Sequence, residues 1–132
     1  MPKTVEKTEQ EWKRVLSPER FHVMREKGTE QAFTGDYYDT KEEGIYQCAA
    51  CGTSLFPSDT KFESGTGWPS FWAPVAEDTI VTETDRSHGM VRTEVLCNTC
   101  HSHLGHLFHD GPEPTGLRYC LNSVALELVE TD

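Results

Sequence analysis

The chain changes its hydrophobic rhythm near residue 35. Before it, apolar and polar positions follow helical signals; after it, short β-branched runs alternate with turn residues. Thr8-Glu9-Gln10-Glu11 has the form of a capping box, with Thr8 as cap and Glu11 reaching back. A short helix is predicted from there to about Leu16. Ser17-Pro18-Glu19 restarts the pattern, with Ser17 as cap and Pro18 in the first helical position. Phe21, Val23 and Met24 give this second helix an apolar stripe, and Gly28 closes it. A third, weaker turn is predicted over residues 29–33. These helices read as a packing layer without chemistry of their own.

Beyond Gly35, Gly44-Ile45-Tyr46-Gln47 and Lys61-Phe62-Glu63-Ser64 read as short strands. Residues 80–84 and 90–96 are strands by β-branched content, joined by a hairpin loop over 85–89. Residues 118–129 are predicted as the last and longest strand. The pattern describes a mainly β, antiparallel domain with short N-terminal helices. The division is a helical segment at 1–34 and a β core at 35–132, within one domain of 132 residues.

Composition narrows the function classes. Twelve Lys and Arg against 22 Asp and Glu leave a net charge of −10. An acidic chain without a basic cluster argues against nucleic acid and against an anionic membrane surface. The first seven residues, Met1-Pro2-Lys3-Thr4-Val5-Glu6-Lys7, have no apolar run, and no stretch is long enough to span a bilayer. The expectation is a reducing, cytoplasmic setting. There, C-x-x-C pairs more often hold metal or do redox chemistry than form structural disulfides.

The five cysteines divide by spacing. Cys48-Ala-Ala-Cys51 and Cys97-Asn-Thr-Cys100 are two C-x-x-C knuckles separated by 45 residues, and Cys120 stands alone. Two knuckles supply the four thiolates of a closed tetrahedral site, which points to one structural zinc through Cys48, Cys51, Cys97 and Cys100. Gly52 suits the tight turn after the first knuckle. Three other readings remain at this point. Cys97-Asn98-Thr99-Cys100-His101 fits a haem-attachment motif, either pair can be a redox dithiol, and an exported chain can carry two disulfides.

Cys120 sits in Arg118-Tyr119-Cys120-Leu121-Asn122. On a strand, Arg118, Cys120 and Asn122 share one face, which continues through Val124, Leu126 and Leu128 and is predicted to turn inward. Arg118 beside Cys120 favours thiolate, the nucleophilic form. The plain alternative is a small buried hydrophobe. His101, His103, His106 and His109 precede Cys120 in the same segment. Strict alternation does not place His103 and His106 on one face, but Gly105 between them permits a bulge that does. The loop Ser64-Gly-Thr-Gly-Trp-Pro-Ser-Phe-Trp72 carries Trp68, Phe71 and Trp72, which either wall a pocket or cap the core.

Taken together these motifs resemble the methionine-R-sulfoxide reductases. The matching stretches are Cys48-Ala-Ala-Cys51, Ser64-Gly-Thr-Gly-Trp-Pro-Ser-Phe71, Ser87-His-Gly-Met90, Arg92-Thr-Glu-Val95, Cys97-x-x-Cys100, His103-Leu-Gly-His106, Asp110-Gly-Pro112 and Arg118-Tyr-Cys-Leu-Asn122. They keep the family order from about Gly35 to the end. The resemblance implies two antiparallel sheets in a tent-like arrangement, stapled by zinc. It implies Cys120 as nucleophile, and His103, His106 and Asn122 as groups that bind or polarise the sulfoxide oxygen. Trp68 would receive the substrate methyl, with Phe108 as a further pocket residue, and Arg118 would lie near the groups that serve the oxygen. It implies a sulfenic acid on Cys120, an external thiol such as thioredoxin to remove it, no organic cofactor, and a monomer. Many members carry Cys where this chain has Thr66, so the recycling step departs from that pattern. The competing class is a zinc-binding β adaptor without activity, which has no use for Cys120, His103, His106 and Asn122 together.

Overall fold

The computed structural model describes residues 8–86 and 89–130. Residues 1–7, on which the expectation drawn from the lack of an apolar run rests, lie outside it, as do Ser87 and His88 of the predicted hairpin loop. Helix α1 (Glu9–Val15) starts on the predicted capping box. The Glu11 amide donates to the Thr8 hydroxyl at 3.2 Å and the Thr8 amide donates to the Glu11 carboxylate at 3.1 Å. Helix α2 (Pro18–Arg25) starts on Ser17, whose hydroxyl accepts from the Arg20 amide, and buries Phe21, Val23 and Met24. Glu26 caps α2, Lys27 follows it at a left-handed φ of 56°, and the amide of the predicted Gly28 returns to the His22 carbonyl at 3.0 Å.

The predicted turn at 29–33 is present only at Ala32 and Phe33, where the Thr34 amide returns to the Gln31 carbonyl at 3.3 Å, and no helix forms. Its backbone groups bond elsewhere: the Glu30 amide to the Asn122 side chain at 3.0 Å, the Phe33 amide to the Gly67 carbonyl at 2.8 Å. A helix would have to take those donors back. The segment instead runs as a strap from α2 across the β core.

Among the described residues, nine antiparallel strands make two sheets. The smaller has the order β2–β1–β9, from β1 (Gly44–Cys48), β2 (Ser54–Pro57) and β9 (Leu126–Glu130). The larger has the order β3–β4–β8–β7–β6–β5, from β3 (Lys61–Phe62), β4 (Ser70–Phe71), β5 (Ile80–Asp85), β6 (Arg92–Cys97), β7 (His103–Phe108) and β8 (Arg118–Leu121). Alternation along β1 buries Tyr46 and Cys48 together. Tyr46 meets the edge of Phe71 from the other sheet at 5.1 Å between centroids. Phe56 lies 4.9 Å from Phe71 and 5.3 Å from Tyr119. These rings, with Trp12, Leu55, Leu104, Leu121 and Leu126, fill the space between the sheets.

The predicted final strand is two strands in different sheets. β8 ends at Leu121; a 3-10 turn, Ser123–Ala125, carries the chain across, and β9 begins at Leu126. The turn is pinned from outside. The Glu30 carboxylate accepts from the Val124 amide at 3.0 Å, and the Ser123 hydroxyl accepts from the Tyr37 amide at 3.1 Å. The face assignment changes too. Tyr119 and Leu121 point into the core, while Arg118 and Cys120 occupy the opposite face, which borders a cavity.

Candidate active site

Two cysteine environments result. In the first, Cys48, Cys51, Cys97 and Cys100 bring their sulfurs within 4.8 Å of one another. The two knuckles fold alike. The Gly52 amide returns to the Cys48 carbonyl and the His101 amide to the Cys97 carbonyl, and both turn residues are left-handed, Gly52 at φ 81° and His101 at φ 60°. His101 is thus the exposed turn residue of the second knuckle, which accounts for the C-x-x-C-H spacing. The close sulfur contacts cross between knuckles, Cys48 to Cys100 at 3.7 Å and Cys51 to Cys97 at 3.6 Å. A tetrahedron with metal–sulfur bonds of ~2.3 Å has edges of ~3.8 Å, so these sulfurs fit a tetrahedral ion. Thr53 and Ser102 set hydroxyls 3.1 Å from Cys51 and 3.2 Å from Cys100. Because Cys48 ends β1 and Cys97 ends β6, an ion held there ties the two sheets together.

Cys120 lies in the second environment, on the far face of the larger sheet. Cross-strand register builds its surroundings. Ser70 pairs with Cys120, Cys120 with His106, and His106 with Glu94, so four residues distant in sequence form one row. Two residues along each strand, Arg118 pairs with Phe108 and Arg92 with Asp85. A side chain cannot replace Gly105 in this sheet: a Cβ there would collide with the Cys120 carbonyl and lie 2.8 Å from the Leu121 Cα. The register shift between Val95 and Leu96 supplies the bulge expected near Gly105. It brings the His103 and His106 rings edge to face, 5.4 Å apart.

The cavity over this row has a volume of about 240 Å³. Cys120, His106, Asn122, Trp68, Phe108 and Arg118 line it, joined by Thr29, Thr66 and Arg92. His103 does not reach its surface; it is 3% exposed and stands behind His106. Of the three loop aromatics only Trp68 lines the cavity. Phe71 is in the core, and Trp72 borders a separate groove. Trp68 is fixed by its indole N–H, which donates to the Glu30 carbonyl at 3.0 Å. Asn122 is fixed twice, accepting from the Glu30 amide and donating to the Leu104 carbonyl at 3.1 Å. Arg118 makes a two-pronged pair with Asp110, at 2.8 and 3.2 Å, and stacks 4.4 Å from the Phe108 ring centre. That guanidinium holds the Asp110 carboxyl below its usual range.

Each histidine has a carboxylate on one nitrogen. His106 Nε2 is 2.8 Å from Asp85, and His103 Nδ1 is 2.7 Å from Glu94. A carboxylate only accepts, so those nitrogens carry the hydrogen. Burial pushes the pKa of His103 down, against the pull of Glu94. Burial also pushes the Cys120 thiol up; the Arg118 charge and a hydrogen bond from Thr66 pull it back without offsetting it. Arg118 therefore acts in the predicted direction, and desolvation outweighs it.

Sequence reasoning missed four residues that hold the site: Glu30, Lys27, Asp85 and Glu94. The Arg92-Thr-Glu-Val95 motif was the one signal for Glu94. The others have partners too distant in sequence to suggest themselves.

A SelR domain matches residues 16–130. A peptide methionine sulfoxide reductase MsrB of Methanosarcina barkeri is 60% identical over 124 residues, covering 94% of this chain and 87% of that protein. The MsrB of Methanosarcina mazei is 61% identical over 122 residues, covering 92% and 87%. That of Hahella chejuensis is 56% identical over 128 residues, covering 97% and 92%. With the SelR match and this identity over almost its whole length, the chain belongs to the SelR family, among the MsrB methionine sulfoxide reductases.

Proposed function

We propose that this chain reduces methionine R-sulfoxide, free or in proteins, with Cys120 as the nucleophile. The observation that carries the reading is the row in which Cys120 stands beside His106 on the neighbouring strand, both lining one cavity with Trp68 and Asn122. A sulfoxide sulfur accepts a nucleophile once its oxygen is protonated or strongly hydrogen-bonded, so nucleophile and donor must face the substrate together. Trp68 and Phe108 take the methyl end, and Asn122 and the paired histidines His103 and His106 serve the oxygen, with Arg118 beside the thiol. Cys120 attacks the sulfoxide sulfur to form an S–S bond; the protonated oxygen then passes to the Cys120 sulfur as the S–O and S–S bonds break, leaving a sulfenic acid on Cys120 and releasing methionine. The cysteine loses two electrons and the substrate gains them. Two equivalents of an external thiol, thioredoxin among them, return Cys120 to the thiol with release of water and a disulfide.

The four clustered cysteines hold one zinc ion in this reading, which stabilises the fold and takes no part in the reaction. The chain acts as one domain and as a cytoplasmic monomer. Among the described residues no helix is long and apolar enough to cross a membrane. An adaptor without activity would leave the cavity residues unused. A turnover assay with separated epimers and dithiothreitol or thioredoxin tests the proposal. Consumption of the R epimer alone, lost in Cys120→Ser, is the expected result; equal consumption of both epimers, or activity surviving in Cys120→Ser, contradicts it.

A further inference from the structure

Glu94 has no explanation in the reaction as written. It is 0% exposed, and it sits in the cavity row two strands from Cys120. A buried carboxylate is costly unless charge and hydrogen bonds compensate it. Two groups do so. One carboxylate oxygen takes the His103 Nδ1 hydrogen at 2.7 Å, and the other meets the Lys27 ammonium at 3.1 Å. Lys27 comes from a different part of the chain. It is the left-handed residue just after the cap of α2, its side chain is 59% exposed, and its ammonium reaches Glu94. A solvated cation therefore closes a chain of contacts that leads through Glu94 and His103 to the ring of His106 in the cavity wall.

We propose that Glu94 and Lys27 are positioning residues for the reduction: Lys27 holds the Glu94 carboxylate, and Glu94 holds His103 as its Nδ1–H form against His106. The proposal rests on the functional reading above and extends it to two residues outside the cavity. Lys27 neutralises Glu94, so Glu94 has no need to draw a second proton onto His103. The ring then stays uncharged and braces His106 by its edge. The other charged groups in the surroundings are Asp85, which holds both Arg92 and His106, and Glu83, whose charge with that of Asp85 acts on Lys27. The Lys27 charge disfavours a second proton on His103; without the cation, the Glu94 carboxylate beside the ring favours that proton. That makes the ring an imidazolium, places a charge against His106, and alters the group that serves the substrate oxygen. Glu94 and His103 are both buried in the fold, whereas Lys27 is mostly exposed, so Lys27 is the safer place to test the arrangement.

The test uses the full chain with its metal bound. Side-chain ¹⁵N spectra of the histidines, recorded without substrate, report the His103 state in wild type, Lys27→Met and Lys27→Arg. Wild type shows one protonated and one bare nitrogen at neutral pH; Lys27→Met shows both protonated; Lys27→Arg restores the wild-type pattern. In turnover, Lys27→Met lowers kcat about tenfold with KM within about twofold, less than the ~100-fold or more that follows loss of a general acid. Its pH profile for kcat shifts, and Lys27→Arg recovers it. Unchanged His103 spectra in Lys27→Met overturn the proposal, and so do changed spectra with unchanged kcat and pH profile. A wild-type chain that shows the predicted spectra yet turns over no methionine sulfoxide overturns the functional reading and, with it, the role of this network in reduction.

Discussion

The cysteine cluster and the Cys120 cavity use one side chain in opposite ways. In the cluster, four sulfurs face each other within 4.8 Å, and the hydroxyls of Thr53 and Ser102 lie close to two of them. Nothing is left open for a substrate. At Cys120, one sulfur faces a cavity of about 240 Å³ lined by groups that donate hydrogen bonds or bear apolar surface. The backbones differ in the same sense. The knuckles are tight turns that repeat one pattern, whereas Cys120 is a mid-strand residue in a row drawn from four strands, its own included. A thiolate committed to holding a fold is best surrounded by its own kind. A thiolate committed to attack needs neighbours that can touch something else.

The largest effect that bears on this contrast is loss of the proposed nucleophile. Cys120→Ser lowers sulfoxide reduction by ~10³-fold or more, while metal content and thermal midpoint stay at wild-type values. Parallel loss of folding would erase the distinction between the two sites. Cys51→Ser does the reverse. It empties the metal site, as read by metal analysis, and destabilises the chain by several kcal/mol of a binding contribution of ~10 kcal/mol. A Cys51→Ser protein as stable as its parent, with unchanged metal, would show that the cluster is not a structural centre.

Trp68→Ala has a smaller effect, confined to the cavity. It raises KM for the R epimer by about 10-fold, with a lesser change in kcat, because it removes apolar surface that the substrate covers. A fall in kcat alone would place the indole at the reacting atoms instead. The smallest effect concerns pH. Burial raises the Cys120 thiol, so first-turnover rate climbs with pH through a midpoint above that of an ordinary cysteine. The same shift has a stability consequence. A thiol raised in the folded state contributes its stability below the ordinary cysteine pKa and loses it as pH rises through the folded value. The stability of wild type relative to Cys120→Ser should therefore decline on the alkaline side. A first-turnover rate that is flat across that range contradicts the assignment of the thiolate as the attacking form.

Local signals in the sequence were read well because their partners are local. Thr8 and Glu11, Ser17 and Arg20, and the two knuckles lie within a few residues of what they bond to. The errors share the opposite property. Residues 118–129 alternate well enough to be one strand, yet Glu30 and Tyr37 bend them at Ser123–Ala125 from 94 and 86 residues away. Residues 29–33 resemble a helical turn until Asn122 and Gly67 take their backbone groups. The site divides the same way. Cys120, His106, Trp68 and Asn122 were legible as unusual residue types in motifs. The depth of His103, the hold of Glu30 on both Trp68 and Asn122, and the reach of Lys27 to Glu94 depend on register and packing. No spacing rule encodes them.

The division between the two sets of cysteines is most directly tested by the state of Cys120 after one turnover. Thr66 offers a hydroxyl, which cannot form a disulfide, and the other four sulfurs are drawn together in the cluster. The measurement is mass spectrometry of the metal-loaded chain, oxidised by excess methionine R-sulfoxide without reductant and quenched with a sulfenic-acid trap. A gain of one oxygen, trapped on the Cys120 peptide with metal retained, is the predicted result. A disulfide between Cys120 and Cys48, Cys51, Cys97 or Cys100, with metal released in proportion, would contradict it and show that the cluster also serves as the recycling thiol.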